Sequence, residues 1–193
     1  MITALIILSS LLTVVSAIPY IVAIIRGTTK PRVVSWLIWS VLTAIAGVAS
    51  YADGQYAAAI LMLFVTLETL AVVVLGLKHG DRKFARLDIV CLLGAAAGII
   101  LWQIFDSPAF AVLATLLIDL LGGIPTLVHS WRKPFEETWQ TYALSSLASV
   151  CTVIAAGNWQ ITSVAFPLYL VAINLVLAVL LLLRRRAIGA VGA

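Results

Sequence analysis

A chain of 193 residues that is 63% hydrophobic and 10% charged, with a mean hydropathy of +1.16, cannot cover itself with a water-facing surface. Soluble domains spend about a quarter of their residues on charge, so lipid is the expected solvent, and there only helices or a closed barrel satisfy the backbone. The net charge of +4 is accounted for by anionic lipid headgroups and gives no reason to invoke nucleic acid.

The apolar runs are long and unbroken and do not alternate, which predicts an all-α membrane fold of seven spans of roughly 18–23 residues. The first, Ile2–Ile25, contains Ile18-Pro19-Tyr20. Its "VSA" to Ala17 resembles a cleavage site, but no Lys or Arg precedes the run, so a retained span is expected. The second, Val33–Ser50, opens on Ser35-Trp36 and Trp39 and carries Ser40 and Thr43. The third, Tyr56–Leu77, holds Glu68 near its middle, roughly 15 Å from either interface by helix rise. The fourth is Leu87–Phe105. The fifth, Ala109–Trp131, carries Asp119 and, after two glycines, Pro125. The sixth, Thr138–Ala156, opens on Thr141-Tyr142 and carries Ser146 and Ser149; the seventh, Ser163–Leu183, holds Asn174. Cys91 and Cys151 fall within spans and read as small apolar fillers.

All twelve Lys and Arg fall in alternate connections: Arg26, Lys30 and Arg32; Lys78, Arg82, Lys83 and Arg86; Arg132 and Lys133; Arg184, Arg185 and Arg186. The other connections carry Asp53, Asp106 and neutral residues. Basic residues stay cytoplasmic, so the expected protein is a multi-pass protein of the plasma or inner membrane, its N-terminus outside and its C-terminus in the cytoplasm.

A shift of 106 lays the chain on itself without a gap from Ile18 to Leu77. Pro19 falls on Pro125, Arg26 on Arg132, Ser35-Trp36 on Thr141-Tyr142, Ser40 on Ser146, Thr43 on Ser149, and Glu68 on Asn174. The expected organisation is a single membrane domain: a first triple-helix repeat over 1–80, a linker helix within 81–108, a second repeat over 109–186 and a tail from 187. Three spans reverse direction, so the linker helix makes the two repeats parallel. Transporters use such repeats to build a midplane site with alternating access.

This 3+1+3 layout, with one proline motif per unit and "PTLVHSWRKP" from Pro125 to Pro134, resembles the SWEET and PQ-loop (MtN3-type) superfamily. The resemblance implies transport of a small polar solute and places Asn174 and its mate Glu68 at the substrate. It departs from the family in reading Pro19-Tyr20 and Pro125-Thr126 for the PQ pair, and in lacking a proline inside the second helices. The Trp36-x-x-Trp39 pair is also similar to aromatic-rich nicotinamide riboside permeases. The solute is then a sugar, an amino acid or a vitamin-like nucleoside, with the acids tilting towards proton coupling or a cation. The same layout serves receptors of the KDEL-sequence type, the alternative reading. Those need basic residues inside the membrane, whereas every Lys and Arg here lies at one edge.

The candidate binding residues are Glu68, Asn174, Asp119, Trp36 and Tyr142, with Pro19 and Pro125 as hinges. A carboxylate at mid-bilayer costs on the order of 3 kcal/mol and is a functional candidate by default; the alternative for Glu68 is a protonated interhelical hydrogen bond. Asp119, whose mate is Thr13, has the alternative of satisfying backbone freed by the proline bend. Trp36, Trp39 and Tyr142 suit an interfacial belt or a gate at the cytoplasmic mouth. The paired hydroxyls suit a polar path or back-bonding one turn up the helix. His79 and His129 sit near the surface. The chain holds no nucleophile triad, HExxH or phosphate loop, so no enzyme, metal or cofactor is expected. The expected partners are the solute and the lipid bilayer, with a homo-oligomer left open.

Overall fold

In a computed structural model that describes residues 2–52, 56–80, 85–104, 108–156, 159 and 161–191, the chain is a bundle of seven helices. These are α1 (Ile2–Ile25), α2 (Val33–Ala52), α3 (Tyr56–His79), α4 (Arg86–Ile104), α5 (Pro108–Arg132), α6 (Trp139–Ala155) and α7 (Ile161–Val191), with a 3-10 turn at Pro134–Glu136 before α6. Among the described residues there is no strand. Asp53, Arg82, Lys83 and Asp106, on which the charge asymmetry partly rests, lie outside the described residues.

The bundle exposes aliphatic side chains to its surroundings and buries many of its hydroxyls. Ile7, Leu11, Val14, Leu63, Leu67, Leu113, Leu117 and Leu175 point outward, while Ser16, Ser40, Thr69, Thr126, Thr141, Ser146 and Ser149 are buried. A water-soluble fold does not leave so much contiguous aliphatic surface exposed. Four stretches, Ile2–Ile25, Met62–His79, Val112–Arg132 and Val164–Gly189, are long and apolar enough to cross a membrane. The architecture is that of an all-α membrane protein.

The helices observed match the seven apolar runs to within a few residues, except at the C-terminus. There the expected tail from 187 continues α7 to Val191. Arg and Ala are good helix formers. Arg184 Nε donates to the Trp131 carbonyl (3.1 Å) and its guanidinium carbon lies 4.3 Å from the Trp131 ring centroid, which ties α7 to the end of α5 just before the extension.

Packing is selective. α3 touches both α1 and α2; α7 touches both α5 and α6; between these groups α1 packs on α6 and α2 on α5. α4 packs on α5 and, less, on α2. A Cβ at Gly94 would come within 3.0 Å of the Leu121 side chain and one at Gly98 within 2.8 Å of Ile118, so a methyl group at Gly98 would force α5 side chains to shift. The other end of α4 is fixed by a buried ion pair between Arg32 and Asp88, whose carboxylate also accepts the Ala85 N–H (2.7 Å).

Candidate functional site

Five of the helices meet in an apolar cluster: Tyr20 and Ile24 of α1, Val33 and Trp36 of α2, Val72 and Val73 of α3, Tyr142 of α6, and Leu177, Ala178 and Leu181 of α7; a second, around Ile38 and Ile118, joins α2, α4 and α5. The residues of the first cluster lie in the C-terminal parts of α1 and α3, just past the middle of α7, and in the N-terminal turns of α2 and α6. That is the end where the described Lys and Arg gather. Here the bundle has no open centre.

Polar atoms knit this plug together around Glu137, which lies between the 3-10 turn and Thr138, the N-cap residue of α6. The hydroxyls of Tyr20 and Tyr142 both donate to Glu137 Oε2, each at 3.0 Å. Trp36 Nε1–H donates in turn to the Tyr20 hydroxyl (3.2 Å). The Tyr20 ring lies 4.8 Å from Trp36 and 6.4 Å, edge-on, from Tyr142, and Trp39 extends the group at 5.2 Å from Trp36. The Glu137 carbonyl accepts from Arg185 Nη2 of α7, whose Nε–H donates to the Pro134 carbonyl at 2.9 Å. One residue thus ties α1, α2, α6 and α7. Glu137 is 1% exposed, and its Oε1 is buried with no hydrogen-bond partner. Burial pushes the carboxyl up to about 8, although the Tyr142 and Tyr20 hydrogen bonds pull the other way.

The two loops beside it are joined across the bundle. Lys30 Nζ pairs with Glu136 Oε1 (2.8 Å), and the Lys30 N–H donates to the Glu136 carbonyl (2.8 Å). The hydroxyls of Thr29 and Thr138 are 2.5 Å apart. Glu136 also has Lys133 at 3.4 Å and buried His129 at 3.5 Å. Partial burial alone would raise its carboxyl, but the Lys30 hydrogen bond and the Lys133 charge outweigh that and hold it below the usual carboxylate range. Outside the Glu137 carboxyl, between the end of α1 and these loops, lies a half-open cavity of about 420 Å³.

The structure therefore brings Trp36 and Tyr142 to one cluster, with Tyr20 and Glu137 added. It leaves the other candidates apart. Glu68 is half-buried on α3, one helical turn before Val72. Asn174 is half-buried on α7, and its Nδ2 donates to the Leu170 carbonyl of its own helix (2.9 Å). Asp119 is buried on α5 beside Tyr169 of α7, near enough to couple electrostatically but outside hydrogen-bonding geometry. Among the described residues no hydrogen bond or ion pair links these three side chains. Pro19 and Pro125 each lie inside an unbroken helix, as does Pro167 of α7. Of the paired hydroxyls, Ser40, Thr43 and Ser149 bond back to carbonyls of their own helices, at 2.7–2.9 Å. Ser35 accepts from Thr126 (2.9 Å) and Ser146 donates to the Val171 carbonyl (3.1 Å), across helices.

Two members of the plug were not among the expected site residues. Tyr20 follows Pro19, where the resembled family has its glutamine, and that position was the available signal. Glu137 is the neighbour of Glu136 in a connection otherwise read for its basic residues. No family model, curated protein or solved structure matches the chain.

Proposed function

We propose that the chain is a seven-span transporter of a small polar solute, built from two parallel triple-helix units and held here closed at its basic end. The observation that carries this reading is the packing scheme. Within the first unit the third helix bridges the other two, and within the second α7 does the same. The two contacts between units, α1 with α6 and α5 with α2, exchange with one another under the 106-residue shift. Lys30 and Glu136, which are 106 apart, touch through both side chain and backbone, as mates do beside a pseudo-two-fold axis. An axis there runs through the plug and along the bundle, the geometry in which two rocking units expose a midplane site to alternate sides.

In this reading the basic end is cytoplasmic and the N-terminus outside. Trp36, Tyr142, Tyr20 and Glu137 close the cytoplasmic mouth, and Glu68 and Asn174 lie one turn deeper around the same axis. The test is osmotic. Proteoliposomes shrunk in glucose, glycine or uridine re-swell only if the solute enters. Re-swelling in at least one solute is expected, and it should stop when Lys30→Cys and Glu136→Cys are cross-linked in a background with both native cysteines replaced by serine. Re-swelling in none of the three, or re-swelling indifferent to the cross-link, would refute the proposal.

A further inference from the structure

The cavity outside the plug is unlike the apolar interior. Its wall includes Val22 of α1, Arg26 and Thr28 of the turn that follows it, Glu137, Gln140 of α6 and Arg185 of α7. It thus joins one carboxyl and two guanidinium groups in about 420 Å³, enough for a headgroup-sized molecule. The carboxyl is unsatisfied. Both tyrosine hydroxyls go to Oε2, and Oε1 is buried with nothing bonded to it. Ionised, that oxygen lacks a donor; neutral, its proton lacks an acceptor. Buried polar atoms left in this way are uncommon and call for an explanation. The residue 106 positions earlier, Pro31, carries no polar side chain and sits against Gly76, 3.0 Å from where a Cβ would be, so the carboxyl is not a requirement of the loop.

We infer that this cavity binds a phosphoethanolamine group, with the primary ammonium on Glu137 Oε1 and the phosphodiester at Arg26. An ammonium supplies the missing donors, and guanidinium is suited to phosphate. Each charge of the zwitterion meets its opposite. Arg185 is already engaged by two carbonyls, which leaves Arg26, exposed on the turn after α1, as the phosphate contact. The other groups facing Glu137 are the hydroxyls of Tyr20 and Tyr142, both donating to Oε2, the Thr138 backbone N–H and the Arg185 guanidinium, whose charge favours the ionised carboxyl. Around the cavity Ile18, Ile25 and Phe135 are exposed and provide an apolar surface on which acyl chains can lie. The source is a bilayer lipid or a free ester of the same chemistry. The cavity lies outside the plug but shares Glu137 with it.

The test uses full-length protein and the soluble probes glycerophosphoethanolamine and glycerophosphocholine in titration calorimetry, since the trimethylated amine cannot donate an N–H. A parallel arm compares unfolding temperature in phosphatidylethanolamine and phosphatidylcholine nanodiscs. The ethanolamine probe should bind at least about ten-fold more tightly than the choline probe. Glu137→Gln should erase that preference, and Arg26→Gln, on an exposed turn, should weaken both probes alike. Binding of the ethanolamine probe should strengthen about ten-fold or more from pH 6 to pH 8, as ionisation of Glu137 costs less. Binding of the soluble ester alone identifies a free ester as the source; stabilisation in ethanolamine discs alone identifies the bilayer. The inference is overturned if neither arm discriminates ethanolamine from choline, if Glu137→Gln keeps the preference, or if Arg26→Gln changes nothing.

Discussion

Replacing Glu137 by Gln should remove a loss of stability with rising pH at the basic end. Glutamine keeps the shape and still accepts from Tyr20 and Tyr142, but it cannot ionise. In the wild type the folded carboxyl titrates near 8 against an ordinary value of 4.5. The folded state then holds its proton while the unfolded state releases it. Stability is unaffected below about pH 4.5, falls as pH rises towards 8, and levels off above. At 1.36 kcal/mol per pH unit, the wild type should lose roughly 2–3 kcal/mol between pH 5 and pH 7 relative to Glu137→Gln. Thermal unfolding of both proteins in the same detergent at pH 5, 6, 7 and 8 gives the comparison. The variant should gain on the wild type as pH rises. Parallel curves, or a wild type that gains with pH, would mean that Glu137 is ionised in the fold and that the unpartnered Oε1 has been misread.

Three further outcomes are expected. Asp88→Ala removes the buried carboxylate that pairs with Arg32 and accepts the Ala85 N–H and should destabilise by roughly 3–5 kcal/mol in denaturant titration, whereas Lys30→Ala, which removes a half-exposed partner of Glu136, should cost about 1 kcal/mol or less. Gly98→Ala puts a methyl group 2.8 Å from buried Ile118 and should cost about 1–3 kcal/mol; Gly123→Ala meets nothing within 4 Å and should be neutral or stabilising by about 1 kcal/mol. In proteoliposomes carrying a solute that enters, Glu68→Gln should flatten the pH dependence of uptake between pH 5 and 8 if the acid carries a proton, and should weaken uptake at every pH if it grips a cation; an unchanged profile would remove Glu68 from the mechanism.

Hydropathy made the seven helices legible, because lipid leaves a span little choice but an apolar helix. The aromatic pair Trp36 and Tyr142 was legible from the 106-residue shift, and the fold brings them to one tyrosine. Tyr20 was not, because beside a proline it reads first as a departure from a motif, and its value lies in the bond it makes to a residue 117 positions away. Glu137 was harder still. A carboxylate in a basic connection has an ordinary explanation as a surface charge, and only the closure of α1, α6 and α7 over it removes it from water. The hydroxyls show the same limit: spacing placed them on the second helices but did not separate Ser40, which bonds its own backbone, from Ser146, which bonds α7.

The position of the plug bears on which residues can move together. Tyr20 belongs to the first unit of the proposed transporter, and Tyr142 and Glu137 to the second. Opening the basic end by separating the units must break the Tyr20–Glu137 bond, while the Tyr142–Glu137 bond, five residues apart within one unit, can survive. Lys30–Glu136 and Thr29–Thr138 also cross between units and must part in the same motion. Lys30–Glu136 is exposed enough to contribute little, so the barrier to opening rests mainly on the buried phenol–carboxyl contact and the packing of Tyr20 against Trp36 and Tyr142. Tyr20→Phe deletes the first and keeps the second. It should therefore favour the open state while leaving the aromatic closure intact, a separation that accessibility of a cysteine placed at Val72 can read directly.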